Sequence, residues 1–145
     1  MTARVLLGLT VFALGMGFVE AACVVSLKQL YFADGYRAPF HAIPPAALRL
    51  EQVREIATLV MLAGVALLEA GGVRGFLARG LWTFGAWDLS YYVFLRFLTG
   101  FPARLTDLDI VFLVPGPWVL PVWVPVAASV AALLAALRLG SRGRR

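Results

Sequence analysis

VLLGLTVFALGMGFVEAACVVSL, residues Val5–Leu27, is the stretch that decides the fold class. A helix needs about 20 mostly apolar residues to cross a bilayer. This run meets that length with Glu20 as its one charged side chain. Tyr31 and Phe32 follow where interfacial aromatics belong. Glu20-Ala21-Ala22-Cys23 has the small residues that precede a lipoprotein cysteine, but Glu20 stands where that motif needs an apolar residue. The apolar run also continues past Cys23, so the stretch is read as an uncleaved first span. With Cys23 the only cysteine, no intramolecular disulfide can form.

Moving outward, Asp34-Gly35, Pro39, Pro44 and Pro45 mark a loop. A second helix then starts near Ala46. Its stretch from Ile56 to Leu68, read as apolar throughout, is short, so a span must take Glu51, Arg54 and Glu55 into its first turns, and Gly71-Gly72 ends it. A third helix carries Asp88 near its middle, with Arg79 and Arg96 placed to snorkel at its ends. From Phe101 to Pro117 the apolar segment Ile110–Val114 is too short to cross. Bounded by prolines, it reads as a loop folded back onto the helices. A fourth helix begins near Trp118, takes Pro121 and Pro125 into its first turns, and becomes rich in alanine. Small side chains there, at Ala127, Ala128, Ala131, Ala132, Ala135 and Ala136, allow close helix packing.

The sequence therefore predicts an all-α chain: one polytopic membrane four-helix bundle. Its spans are about 5–30, 47–70, 76–99 and 118–139, its outer loops 31–46 and 100–117, and 140–145 is a basic tail. Composition agrees. Hydrophobic residues make up 61% and charged residues 14%, whereas soluble domains run near 45–50% and 25%. The net charge of +5 does not point to nucleic acid, because Arg4, Arg74, Arg79, Arg138, Arg142, Arg144 and Arg145 all sit at the ends of apolar runs. Four spans place both termini on one side. The acid-poor flanks and the Arg-rich tail make that side cytoplasmic.

Gly17, Glu20, Val25, Leu27, Lys28 and Leu30 align with Gly85, Asp88, Val93, Leu95, Arg96 and Leu98. A parallel repeat of two helix pairs is one reading of this match. Chance similarity between apolar segments is the other.

The chemistry is expected where charge meets lipid. A carboxylate at mid-bilayer costs roughly 2.5–3.5 kcal/mol on insertion scales, so Glu20 and Asp88 should face the interior with partners. At about 1.5 Å per residue, Glu20 lies roughly 6 Å to the outer side of its helix centre. The second helix enters from that side, bringing Arg54 and Glu55 to a similar depth. The simplest network places Arg54 between Glu20 and Asp88, with Glu51 beside Glu55 on one helix face. Glu20, Arg54, Glu55 and Asp88 are the expected ligand- or ion-binding set. Acids exceed bases, so a bound proton or cation is expected to balance them. A purely structural pairing of helices is the competing reading.

Accessory candidates are Glu51, His41, Tyr91, Tyr92, Arg96, Asp107 and Asp109. His41, the only histidine, would complete a metal site with the acids, yet no ligand spacing demands it and a solvated loop histidine is the simpler reading. Asp107 and Asp109 share a side of an extended segment and suit either a hard cation or a loop cap. Tyr91, Tyr92 and the tryptophans read as packing and interface anchors, or as aromatic walls beside Asp88. No phosphate loop, nucleophile elbow or dinucleotide fingerprint is present. Catalytic residues, cofactor and metal are left unassigned.

Three stretches carry a resemblance: GFVEAACVVSLKQLYF (Gly17–Phe32), REIATLVML (Arg54–Leu62) and FGAWDLSYYVFLRFLTGFPARLTDLDIVFLVPGPWVLPV (Phe84–Val122). Together they are similar to a group of small bacterial four-span membrane proteins that has no established activity. The resemblance implies a bacterial cytoplasmic membrane and the same four-span layout, and it assigns no catalytic residue.

The leading expectation is a membrane-embedded ion- or small-ligand-binding or transport-type protein. Its partners would be the lipid bilayer and a second copy, through the Ala face of the fourth helix or through Gly8, Gly15 and Gly17. The alternatives are a structural accessory subunit of a larger membrane complex and a membrane enzyme acting on a lipid or quinone.

Overall fold

A computed structural model describes residues 1–31, 44–68 and 70–141. The chain is mostly helical, with α1 at Ala3–Tyr31, α2 at Pro45–Leu67, α3 at Val73–Thr99 and α4 at Trp123–Ser141. Between α3 and α4 lies an antiparallel hairpin of β1, Leu108–Phe112, and β2, Trp118–Pro121.

Local chemistry sets these boundaries. Pro44, with φ −56° and ψ 144°, precedes Pro45 at the first turn of α2. A residue before proline avoids the helical region, while proline itself suits a helix start. Gly71 (φ 66°) and Gly72 (φ 126°) make the reversal between α2 and α3 in backbone conformations that L side chains rarely adopt. Gly100, at φ 75°, ends α3 by donating its N–H to the Arg96 carbonyl at 2.9 Å.

The segment expected to be an irregular inward-folded loop is ordered instead as the hairpin. Its strands are LDIVF and WVLP, rich in the β-branched and aromatic residues that suit a pleated ribbon. Pairing runs Asp109 with Leu120 and Ile110 with Val119, with a register shift between Ile110 and Phe112. Trp118–Pro121 is thus strand, and α4 starts at Trp123 rather than near Trp118. Pro121 withdraws a donor from β2 and breaks the helix pattern from that point.

α3 is the central helix. It runs parallel to α1: Trp82 donates to Thr10, Ser90 to the Ala13 carbonyl, and Phe94 meets Phe18 edge-on. It runs antiparallel to α4, where Gly85 abuts Ser129 and Arg74 donates to the Leu139 carbonyl. Its contact with α2 is also antiparallel, with Arg79 reaching the Leu68 carbonyl. The N-terminal ammonium donates to the Gly140 carbonyl at 3.0 Å, so α1 begins where α4 ends.

Two glycines permit the close approaches. A Cβ on Gly17 would stand 2.9 Å from the Tyr91 nitrogen, and one on Gly85 would stand 2.7 Å from the Ser129 oxygen. Gly17 is therefore used within the chain and is not free for a second copy. On α4 the stripe that packs inward is Pro125, Ser129 and Ala136, whereas Ala127, Ala128 and Ala131 point outward.

Large apolar side chains are exposed on all four helices, including Val11, Val60, Phe97 and Leu134. Phe97 is 87% exposed while Glu20 is only 7% exposed. By length and composition two helices, α1 and α4, are apolar enough to cross a membrane.

Candidate functional site

α1, α2, α3 and β1 enclose a cavity of about 140 Å³. Trp87 forms one boundary. It packs with Ala13 and Leu62 in the apolar core and also lines the cavity. Around that cavity the chain places Glu20, Glu51, Glu55, Asp88 and Asp109, with Lys28 and Arg54 as the only bases among the described residues.

Glu20 enters from α1 and is held by α2 through both oxygens. Arg54 Nη1 donates to Oε2 and Thr58 Oγ1 donates to Oε1. Arg54 and Thr58 stand four residues apart, so one helix face presents both donors. Arg54 Nε also donates to Glu51 Oε2 at 2.7 Å, which makes one guanidinium serve two acids. Such forked, charge-assisted pairing is what a planar guanidinium does best.

Asp88 is arranged differently from the expected network. Its Oδ2 accepts the Ser129 hydroxyl of α4 at 2.7 Å, and among the described residues Arg54 pairs with Glu20 and Glu51. Both acids line the same cavity, but on α3 the carboxyl of Asp88 is turned toward the neighbouring α4. Glu55 makes no ion pair among the described residues. Its Oε2 accepts the Leu113 N–H at 2.7 Å, while Gln52 donates to the Leu113 carbonyl at 3.0 Å. One face of α2 thus grips both backbone groups of the residue that follows β1.

Asp109 of β1 reaches the cavity from above. Burial pushes its carboxyl above the usual carboxylate range, and the Tyr92 hydroxyl, the Lys28 charge and the Ile110 N–H act in the opposite direction. Lys28 also places its ammonium 4.6 Å from the Phe101 ring centre, a cation–π distance. Tyr91 and Tyr92 contact each other edge-on at 5.0 Å and line the same wall.

The other expected participants lie elsewhere. Arg96 is exposed and donates to the Gly100 and Pro102 carbonyls, closing the end of α3. Asp107 accepts the N–H groups of Ala103 and Arg104, each at 2.8 Å, and so caps a loop apart from Asp109. His41 and the basic tail beyond Ser141 fall outside the described residues. Among the described residues no group of three His, Cys, Asp or Glu side chains is arranged to hold a metal.

No family model, curated protein or solved structure matches this chain. The site therefore stands on its own geometry.

Sequence reasoning missed Thr58, Gln52, Lys28 and Ser129. Thr58 was the one polar residue in the run Ile56–Leu68, four positions beyond Arg54, and that spacing was the available signal. Lys28 lies eight residues beyond Glu20, close to the same helix face. Ser129 stands alone among alanines and valines, a weak mark in an apolar helix.

Proposed function

We propose that this is a four-span integral membrane protein whose acid-lined cavity binds a small polar solute, in the manner of a binding or transport-type protein. All four helices are long enough. Even α4, the shortest, has 19 residues, within the roughly 17–25 residues of spanning helices. Four of the charges that lower the hydropathy of α2 and α3, Glu51, Arg54, Glu55 and Asp88, line the cavity, and the others, Arg49, Arg74, Arg79 and Arg96, lie toward the helix ends. The outward surface of those helices keeps Val53, Ile56, Val60, Leu77 and Val93, as a lipid-facing surface needs.

The proposed orientation puts the end where Met1 meets Gly140 in the cytoplasm of a bacterial inner membrane, and the arginines at that end, Arg4, Arg74, Arg79 and Arg138, support it. The cavity then opens toward the outer half, beneath the hairpin. A homodimer through the exposed α1 face at Gly8 and Gly15, where nothing lies within 4 Å of an added Cβ, suits close helix packing.

The observation that carries the reading is the cavity itself, lined by five carboxylates and two cationic side chains where lipid makes unbalanced charge costly. The experiment is native mass spectrometry of the chain purified in nanodiscs. A small solute should be retained by the native protein and lost in Glu20→Gln and Asp88→Asn, with expression and assembly unchanged. If the native protein carries no solute and both variants only disturb assembly, the cavity is structural and the chain is an accessory subunit. That second reading draws support from the way Glu20, Glu55 and Asp88 each join two elements.

A further inference from the structure

We propose that the cavity takes a small organic cation: a protonated amine with an apolar body and a hydrogen-bond acceptor. This rests on the reading of the cavity as a solute site and names the class of its occupant.

Three buried atoms at the cavity residues lack a hydrogen-bond partner among the described residues: Glu55 Oε1, Asp109 Oδ2 and Trp87 Nε1. Asp109 is 6% exposed and Trp87 8% exposed, so bulk water does not satisfy either side chain. Buried polar groups are almost always paired, and an orphan needs a reason. The two carboxylate oxygens call for donors and the indole N–H calls for an acceptor. One molecule offering an N–H-rich head and a hydroxyl or carbonyl meets all three demands.

Charge selects the head group. Among the described residues five carboxylates and two cationic side chains line the space, and Arg54 is already committed to Glu20 and Glu51. A cationic donor is favoured there and an anion is repelled. A bare hard cation is a poorer fit, because it wants six or more oxygens and those of Glu20, with one each of Glu51, Glu55 and Asp88, already accept hydrogen bonds within the chain. No metal-holding group of three side chains occurs among the described residues.

The walls select the body. Trp87, Tyr91 and Tyr92 supply ring surface for a cation, and Val24, Leu27 and Leu48 supply apolar contact. A cavity of about 140 Å³ is close to the roughly 150 Å³ that holds a benzene ring.

The test is calorimetric titration of the full chain in nanodiscs, with empty nanodiscs as the blank. The probes are near-isosteres of three charges: 2-amino-1-phenylethanol as the ammonium, 1-phenyl-1,2-ethanediol as the neutral form, and mandelate as the anion. The ammonium should bind saturably at one per chain, and the other two should not. Glu55→Gln and Asp109→Asn should each weaken it roughly tenfold or more, as loss of a charge-assisted hydrogen bond does. Trp87→Phe should weaken 2-amino-1-phenylethanol but spare 2-phenylethylammonium, which lacks the hydroxyl.

If the diol or mandelate binds as tightly as the ammonium, the amine class is overturned and the solute site stands. If only calcium titrates into the native protein and Asp109→Asn abolishes it, the class is again overturned. If none of these probes binds, the amine class is overturned, and the solute site stands or falls separately on whether the native protein retains a solute in native mass spectrometry. The native-protein series decides these outcomes even where a variant does not fold.

Discussion

Arg54→Met is the sharpest test of the buried network, because it removes one donor from two acids at once. Glu20 and Glu51 each lose a charge-assisted bond, and their side chains are only 9% and 11% exposed. Breaking a buried pair by deleting one partner typically costs 3–5 kcal/mol, since the surviving charge is left uncompensated. The Arg54 side chain is itself 26% exposed, so water screens part of the interaction. The expected loss is therefore near the lower bound, about 3 kcal/mol. Glu20→Gln should cost less, about 1–2 kcal/mol, because the amide oxygen still accepts from Thr58. The double variant should recover about 1–2 kcal/mol of the summed losses, because no buried charge at that position is then orphaned. Unfolding by denaturing detergent, followed by tryptophan fluorescence, measures all three. Arg138→Met, at an exposed position on α4, is the control. If Arg54→Met is no more destabilising than that control, the guanidinium does not neutralise these acids and the network argument is wrong.

Gly17→Leu and Gly85→Leu should each separate α3 from a neighbour, because an added Cβ alone would meet backbone atoms at 2.9 Å and 2.7 Å. Lost yield of monodisperse protein checks this, and Gly8→Leu, facing open space, should be tolerated in the monomer. Gln52→Ala combined with Glu55→Leu should release the residue after β1, read as faster hydrogen exchange at the Leu113 amide while α1 protection holds. Asp109 sets the sign of a pH effect. Its folded carboxyl binds a proton more tightly than the unfolded one, so its contribution to stability is full below about pH 3.9 and is lost as pH rises through the folded value. The melting temperature of native protein minus that of Asp109→Asn should therefore fall as pH rises from 4 to 7, and a flat difference contradicts the buried placement.

Much of the site could be read from residue type and depth alone. Glu20 and Arg54 are charges that lipid does not tolerate alone, and simple counting put them at one height on neighbouring helices. Height, however, says nothing about azimuth. Asp88 has nearly the right depth to meet Arg54, but the packing of α3 against both α1 and α4 turns its carboxyl to Ser129. Which way α3 faces depends on small residues at its contacts, here Gly17 of α1 and its own Gly85 against Ser129 of α4, and that information is spread over three segments. The hairpin was hidden for a related reason. Ile110–Val114 was too short to span and lay among prolines, and its pairing with Trp118–Pro121 depends on a partner that looked like the start of a helix.

α2 shows why a hydropathy window and a structure can rank the same helix differently. A window averages over all directions around the axis, so Glu51, Gln52, Arg54, Glu55 and Thr58 count against it equally wherever they point. In the folded chain each finds a partner inside: Arg54 for Glu51, Leu113 for Gln52 and Glu55, and Glu20 for Arg54 and Thr58. The cost that a window charges to lipid contact is met within the protein. What faces outward on the same turns is Leu50, Val53, Ile56 and Val60, with Arg49 near the start of the helix as the charged exception. A helix can therefore be polar by composition and apolar by surface at once, provided its polar residues cluster along one face and another element supplies their complements. Here those complements come from α1 and from the hairpin, so under the four-span proposal α2 depends on both for its lipid-facing surface.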